Sequence, residues 1–350
     1  MKFLYALFFC ALFSCGEAEK ACTLLDPSAV VFDEFSRTDS IKFRNLCSYK
    51  AGEVEEMFCM DSVLIIQDEK GEEGFFRNYY LKDGVYSAAY LQKGRGPEEL
   101  DQVFECGFGK NCFFAYDANM HKVLLYNSEK LLADPSKLKP SVRLVKAKFY
   151  EMAVLNSTAI LGGGEEASKY KLAKVDLSTG EKIKESGEYP MMAEKKMGLI
   201  KDAYTAYWFV KPSGDRLLLA YRYSDVVELF DTKKAERVKT VQGPDRFEVH
   251  YDAGERGGFQ YMKKNGRTRK AFTGGGCATD QYVYLLYSGY KKKDGEKWGY
   301  GTSVFVYDWN AKPVRRIALD RCLGTIAVSP DDKALYSYDS ETGYLLEASL

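Results

Sequence analysis

Ile326-Ala327-Val328-Ser329-Pro330-Asp331-Asp332-Lys333-Ala334-Leu335-Tyr336 reads as a strand, a tight turn and a second strand. The apolar run stops at Ser-Pro-Asp-Asp, residues that pre-set φ or bond their own backbone, and resumes at Ala334. Pro212-Ser213-Gly214-Asp215-Arg216-Leu217 repeats that grammar, with a Pro, a two-residue turn and a following strand. Working outward, short apolar and aromatic runs recur along the chain: Val63–Ile66, Cys112–Tyr116, Val123–Tyr126, Leu217–Tyr221, Tyr282–Tyr287 and Val304–Tyr307. Runs of this length, bounded by Gly, Asp, Asn and Ser, are strands. Several end in an apolar or aromatic residue followed by Asp or Asn and a turn, as at Val175-Asp176, Phe230-Asp231, Tyr307-Asp308 and Tyr126-Asn127. Their spacing is uneven but mostly near about 50 residues, the length of a four-stranded unit with its loops. Helical periodicity is rare, and Met191 to Lys201 is the best candidate.

Composition narrows the function classes. Lys+Arg and Asp+Glu both number 50, so the formal net charge is zero. A nucleic-acid binder is expected to carry a dominant basic face, so no nucleic-acid partner is expected. Tyr (26) and Phe (21) are abundant and Pro (9) is scarce, which suits strands. Length alone suggests about two domains, but closed all-β folds often run longer as one unit.

At the N-terminus, Lys2 precedes an uncharged apolar run from Phe3 to Phe13. The run is too short to span a bilayer, which takes about 20 residues, and fits the apolar core of a secretory signal. It ends Leu12-Phe13-Ser14-Cys15, which resembles a bacterial lipobox, with Ser14 as the small residue before a lipidated Cys15. The expectation is a signal peptide over residues 1–14, a lipid-anchored tether over 15–39 and one folded unit over 40–350. Membrane attachment would be through the lipid alone. Of the other cysteines, Cys10 leaves with the signal. Cys22, Cys47, Cys59, Cys106, Cys112, Cys277 and Cys322 remain, an odd number with no CxxC. Cys106 and Cys112 are spaced to bridge a hairpin; the alternative, which we favour, is that most are small buried hydrophobes.

Two further motifs match each other: Gly96-Pro97-Glu98-Glu99-Leu100 and Gly243-Pro244-Asp245-Arg246-Phe247. The 326–336 stretch closely resembles the V-S-P-D-G-K-x-L-Y hairpin of many propeller blades. Together with the lipobox and Gly94-Arg95-Gly96-Pro97-Glu98-Glu99, the chain resembles the TolB-like six-bladed propeller lipoproteins from about residue 40 to its end. The resemblance implies an all-β six-bladed β-propeller of four-stranded blades in the bacterial cell envelope, with the outer membrane as the expected site. It carries no catalytic residues. The blades are expected at about 51–95, 101–148, 149–190, 203–243 and 270–320. The last segment, 324–350, supplies only three strands. The missing outer strand is expected from the N-terminus, near Ser40–Leu46, closing the ring and removing an exposed edge.

In a propeller, the loops between blades and those between second and third strands meet on one face around the channel, where ligand sites usually lie. That face is expected to collect Arg95, Glu98, His121, Glu165 with Glu166, Arg246, Trp298 and Tyr300, plus a long insertion over 245–270. The alternative for Arg95 and Glu98 is that they simply lock a turn. Gly162-Gly163-Gly164 is either a close approach to a ligand or a flexible turn. Lys263, Lys264, Arg267, Arg269 and Lys270 form a basic run, either a solvated face or a site for an anionic glycan or lipid headgroup. Trp298, beside Gly299 and Tyr300, either has a structural role or stacks on a sugar face. His121 and His250 lack a nucleophilic partner, no zinc-like cluster occurs, and no cofactor loop is present. The expected function is therefore a non-catalytic binding or scaffold propeller for a glycan, peptide or protein in the envelope, with no catalytic residue, cofactor or metal. The alternative is a lactonase-like, metal-dependent hydrolase with carboxylates converging in the channel.

Overall fold

A computed structural model describes residues 28–350 apart from 51, 69, 71, 72, 167, 190–196 and 258. The strands form six sheets in a ring, in chain order around the axis, with a separate two-stranded hairpin. The inner strands are Val54–Met60, Glu105–Gly109, Glu151–Asn156, Ala206–Val210, Cys277–Ala278 and Ile326–Val328. The sixth blade is closed by Arg44–Ser48, antiparallel to Tyr344–Ser349.

The second strands are mostly apolar because neighbouring blades cover both of their faces. Every residue of Val63–Asp68 and of Cys112–Asp117 is buried. The period of two then sends alternate residues into different cores. In the fourth blade, Leu217, Leu219 and Tyr221 join Leu161 and Leu172 of the third, whereas Leu218 and Ala220 join Val283 and Phe305 of the fifth. The hydrophobic core is thus divided into six wedges, one at each blade interface.

The turns follow the expected chemistry. Asp176 Oδ1 accepts the Ser178 N–H at 2.7 Å and Asp308 Oδ1 accepts that of Asn310 at 2.8 Å. In the 326–336 hairpin, Ser329 Oγ accepts the Ala334 N–H at 2.9 Å. Asp332 takes the left-handed position with φ +58°, where the resembling motif has Gly. Its carboxylate accepts from Thr279 Oγ1 at 2.8 Å and from the Tyr284 hydroxyl at 2.9 Å, latching the sixth blade to the fifth.

Three expectations are corrected. The closing strand is Arg44–Ser48 rather than Ser40–Leu46; Ser40 instead pairs with Ala318 on the fifth blade. The end of the expected tether is docked, not free. Val30–Val31 lies parallel to the outer strand of the fourth blade, and Thr38–Ile41 parallel to that of the fifth, so these two blades have five strands. Phe35 supplies the burial, packing its ring 4.8 Å from that of Phe305. The segment carries too few apolar residues to show a period, and its docking depends on edges formed far along the chain. The helix expected over Met191–Lys201 is Met197–Ala203, and residues 191–196 lie outside the described part. A short helix at Ser128–Ala133, capped by Asn127, was not expected. The signal segment, Cys15 and Cys22 also lie outside the described residues.

Candidate functional site

The inner strands surround a central channel with a cavity of about 140 Å³. Phe58, Met60, Phe108, Phe209 and Val328 give it apolar walls. Inner strands run from the face of the inter-blade loops toward the opposite face, so residues early in them lie toward the first opening. Glu56, Glu105 and Glu151 come from the first three blades near that end. All three are half-buried; Glu56 and Glu105 line the channel, whereas Glu151 faces a small adjoining pocket with Tyr189, Tyr204 and Trp208. Burial pushes the Glu56 carboxyl up to about 7, helped by Glu55 and opposed by a hydrogen bond from Cys106. Burial pushes Glu151 up to about 7, with Arg222 and Lys201 opposing. Glu105 rises well above the carboxylate range from burial and from repulsion by Glu56 and Glu151. No ion pair to any of the three occurs among the described residues. A carboxyl held near neutral in pKa is both donor and acceptor at physiological pH.

Cys106 donates to Gln67 Oε1 at 3.1 Å, and burial raises its pKa well above the ordinary thiol value. That keeps it a neutral thiol, not a nucleophile. All six described cysteines are free, Cys106 and Cys112 included. Among the described residues no group of three or more His, Cys, Asp or Glu is placed to hold a metal ion.

At the opening between the fourth and fifth blades, aromatic rings and cations interleave. Arg222 follows the second strand of the fourth blade; its N–H bonds Thr205 O and its carbonyl accepts from Ala271, both at 2.9 Å. Its guanidinium lies 4.6 Å from the centre of Tyr207, a channel-lining ring. Tyr223 and Trp298 stack with centres 6.3 Å apart and planes 16° from parallel. Lys270 Nζ sits 4.2 Å from the Trp298 centre, and Lys264 Nζ lies 5.8 Å from both rings. The insertion over 245–270 contributes the hairpin Asp252–Arg256 and Phe259–Lys263, whose Met262 packs with Leu199 and Ile200 of the helix.

The family model described as TolB-like 6-blade propeller-like matches residues 55–331. The chain belongs to the TolB-like six-bladed propellers. No curated protein matches it. Among solved structures it is similar to a Bacteroides fragilis protein described as exported, at 12% identity, covering 92% of this chain and 99% of the other with a TM-score of 0.51. It is also similar to the β-propeller domain of Cps50 (Swd1) from Myceliophteria thermophila, at 13% identity and a TM-score of 0.46, covering 89% of this chain and 99% of that one. At these identities the likeness is one of fold.

In this TolB-like propeller the residues singled out from sequence are spread around the loop face. Arg95 pairs with Asp101 at 3.4 Å, and Glu98 with Lys139 at 3.9 Å. His121 occupies a turn with φ +53°, its carbonyl accepting from Val145 N at 3.0 Å. Glu165 pairs with Lys182 at 2.9 Å, and Arg246 with Asp33. Tyr300 is exposed at the rim. Only Trp298 joins the aromatic–cation group. Gly162 and Gly163 lie in a strand rather than a turn, and a Cβ there would come within 2.4 Å of the Phe149 and Trp208 rings, so they make room for packing. Sequence reading missed Glu56, Glu105, Glu151 and Arg222. The available signal was a charged residue in or directly after a strand that otherwise reads as buried.

Proposed function

We propose that this protein is a non-catalytic binding propeller of the bacterial envelope that takes its ligand, a glycan or peptide, at the channel mouth. The observation that carries the reading is an aromatic-walled channel lined by Glu56 and Glu105, with Arg222 against the channel-lining Tyr207 ring, none of the three in an ion pair among the described residues. Small-ligand sites have this make-up, mostly apolar walls with a few polar groups that fix orientation. The family is typically envelope-associated, and the Leu12–Cys15 motif supports a lipid anchor there, at the outer membrane.

The test is a thermal-shift and calorimetric screen of the full chain against sugars, peptides and metabolites, with Tyr207→Ala beside it. A ligand whose binding is lost in Tyr207→Ala supports the reading. Metal-dependent turnover of a lactone or ester would overturn it in favour of the hydrolase. The anchor is tested separately: Cys15→Ser is expected to release the protein from the membrane fraction.

A further inference from the structure

Buried and half-buried cations in this protein are answered by carboxylates or by backbone carbonyls: Lys122 Nζ donates to Gly96 O at 2.7 Å and Lys201 Nζ to Glu166 O at 2.9 Å. Lys171 pairs with Glu228 at 2.8 Å, Arg315 with Asp39 at 3.1 Å, Arg237 with Glu228 at 3.0 Å and Arg77 with Glu73 at 2.8 Å. At the channel mouth the rule fails. No ion pair to Arg222, Lys264 or Lys270 occurs among the described residues, although the three share one aromatic surface. The Arg222 Nε–H and the Trp298 Nε1–H are also buried without an acceptor. The carboxyls nearest Arg222, Glu105 and Glu151, are themselves raised by burial and make no ion pair with it, so they offset its charge only in part. Like charges held together in a partly desolvated site cost free energy unless an anion joins them.

We infer that the mouth between the fourth and fifth blades binds the anionic group of a small ring-bearing molecule, its carboxylate or phosphate held by Arg222 and Lys270. Trp298, Tyr223 and Tyr207 offer faces for the ring, and Lys264 reinforces the charge from the rim. The guanidinium supplies a planar donor fork suited to either oxyanion, while the ammonium acts as a point charge. The inference rests on the proposed binding function and gives the class of its ligand: an acidic or phosphorylated sugar rather than a neutral one.

Glucuronate, glucose 6-phosphate, glucose and inorganic phosphate are titrated calorimetrically into the full chain. Glucuronate or glucose 6-phosphate is expected to bind at least tenfold tighter than glucose, and the preferred one identifies the oxyanion. Lys270→Gln is expected to weaken that binding tenfold or more, and Lys270→Arg to restore most of it. Lys146→Gln, on a distant turn, is expected to change nothing. Equal binding of glucose and both anionic sugars, or full binding by a folded Lys270→Gln, overturns the inference. If neutral ligands still bind and Tyr207→Ala abolishes them, the anion inference alone has failed. If no ligand of any class depends on Tyr207, both readings fall.

Discussion

Two charged regions lie a few residues apart in the fourth blade and are built on opposite principles. Between the third and fourth blades, Glu228 is fully buried and accepts from Lys171 Nζ at 2.8 Å, from the Tyr221 hydroxyl at 2.6 Å and from Arg237 Nη1 at 3.0 Å. One residue beyond Tyr221, Arg222 faces the mouth with an unbonded Nε–H and two unpaired lysines nearby. Where no ligand can reach, the fold satisfies its charges internally; where a ligand can enter, it leaves them open. A buried charge without compensation is costly, so an unanswered cluster at an opening marks a place where something else supplies the counter-charge.

Glu228→Leu breaks the first region and is expected to have the largest effect, a loss of about 3–5 kcal/mol, because it removes the buried carboxylate from Lys171. Denaturant unfolding measures it. Lys171→Met combined with Glu228→Leu is expected to recover much of that loss, since apolar replacement of a whole buried pair is often near neutral. If the single change is silent, the contrast between the regions dissolves.

The mouth is expected to respond with the opposite sign. Crowding by Arg222 and Lys264, after burial, lowers Lys270 to about 8. A lysine whose folded value lies below its unfolded one binds fewer protons when folded, so stability rises with pH from about 8 to about 10.5. Lys270→Gln is therefore expected to stabilise the protein by about 1 kcal/mol at pH 7 after allowance for solvent screening, with the gain disappearing near pH 10.5. Thermal unfolding at the two pH values checks it.

The channel carboxyls should give the mirror image at a similar or smaller size. Glu56 rises from 4.5 to about 7, so the folded state holds the proton longer and stability falls as pH climbs through that window. Glu56→Gln is expected to stabilise by about 1 kcal/mol or less at pH 8 and to be neutral at pH 4. Stabilisation at both pH values would mean a packing effect rather than a charge effect.

The architecture was legible because its signals are local. Apolar runs, Asp-closed turns and the Ser329–Asp332 hairpin each declare a strand or turn within a few residues, and their repetition declares blades. The missing outer strand of the last segment pointed to closure by the N-terminus, a few residues from where it occurs. The docking of Val30–Val31 and Thr38–Ile41 was not legible, because parallel pairing onto an outer strand leaves no turn signal in the sequence.

The site was harder to see for a related reason. Sequence alone pointed to the loop face, to Trp298 and to a basic run ending at Lys270, since loop residues and composition can be read along the chain. Only the tertiary structure brought Tyr207, Arg222, Tyr223, Lys264, Lys270 and Trp298 together, from two blades and the insertion between them. It also decided which charges are answered. Arg95, Glu165 and Arg246 look as available in the sequence as Arg222, yet partners as distant in sequence as Asp33 neutralise them. Whether a charge is free to meet a ligand depends on what the rest of the chain folds against it, and that is a property of contacts, not of residue order.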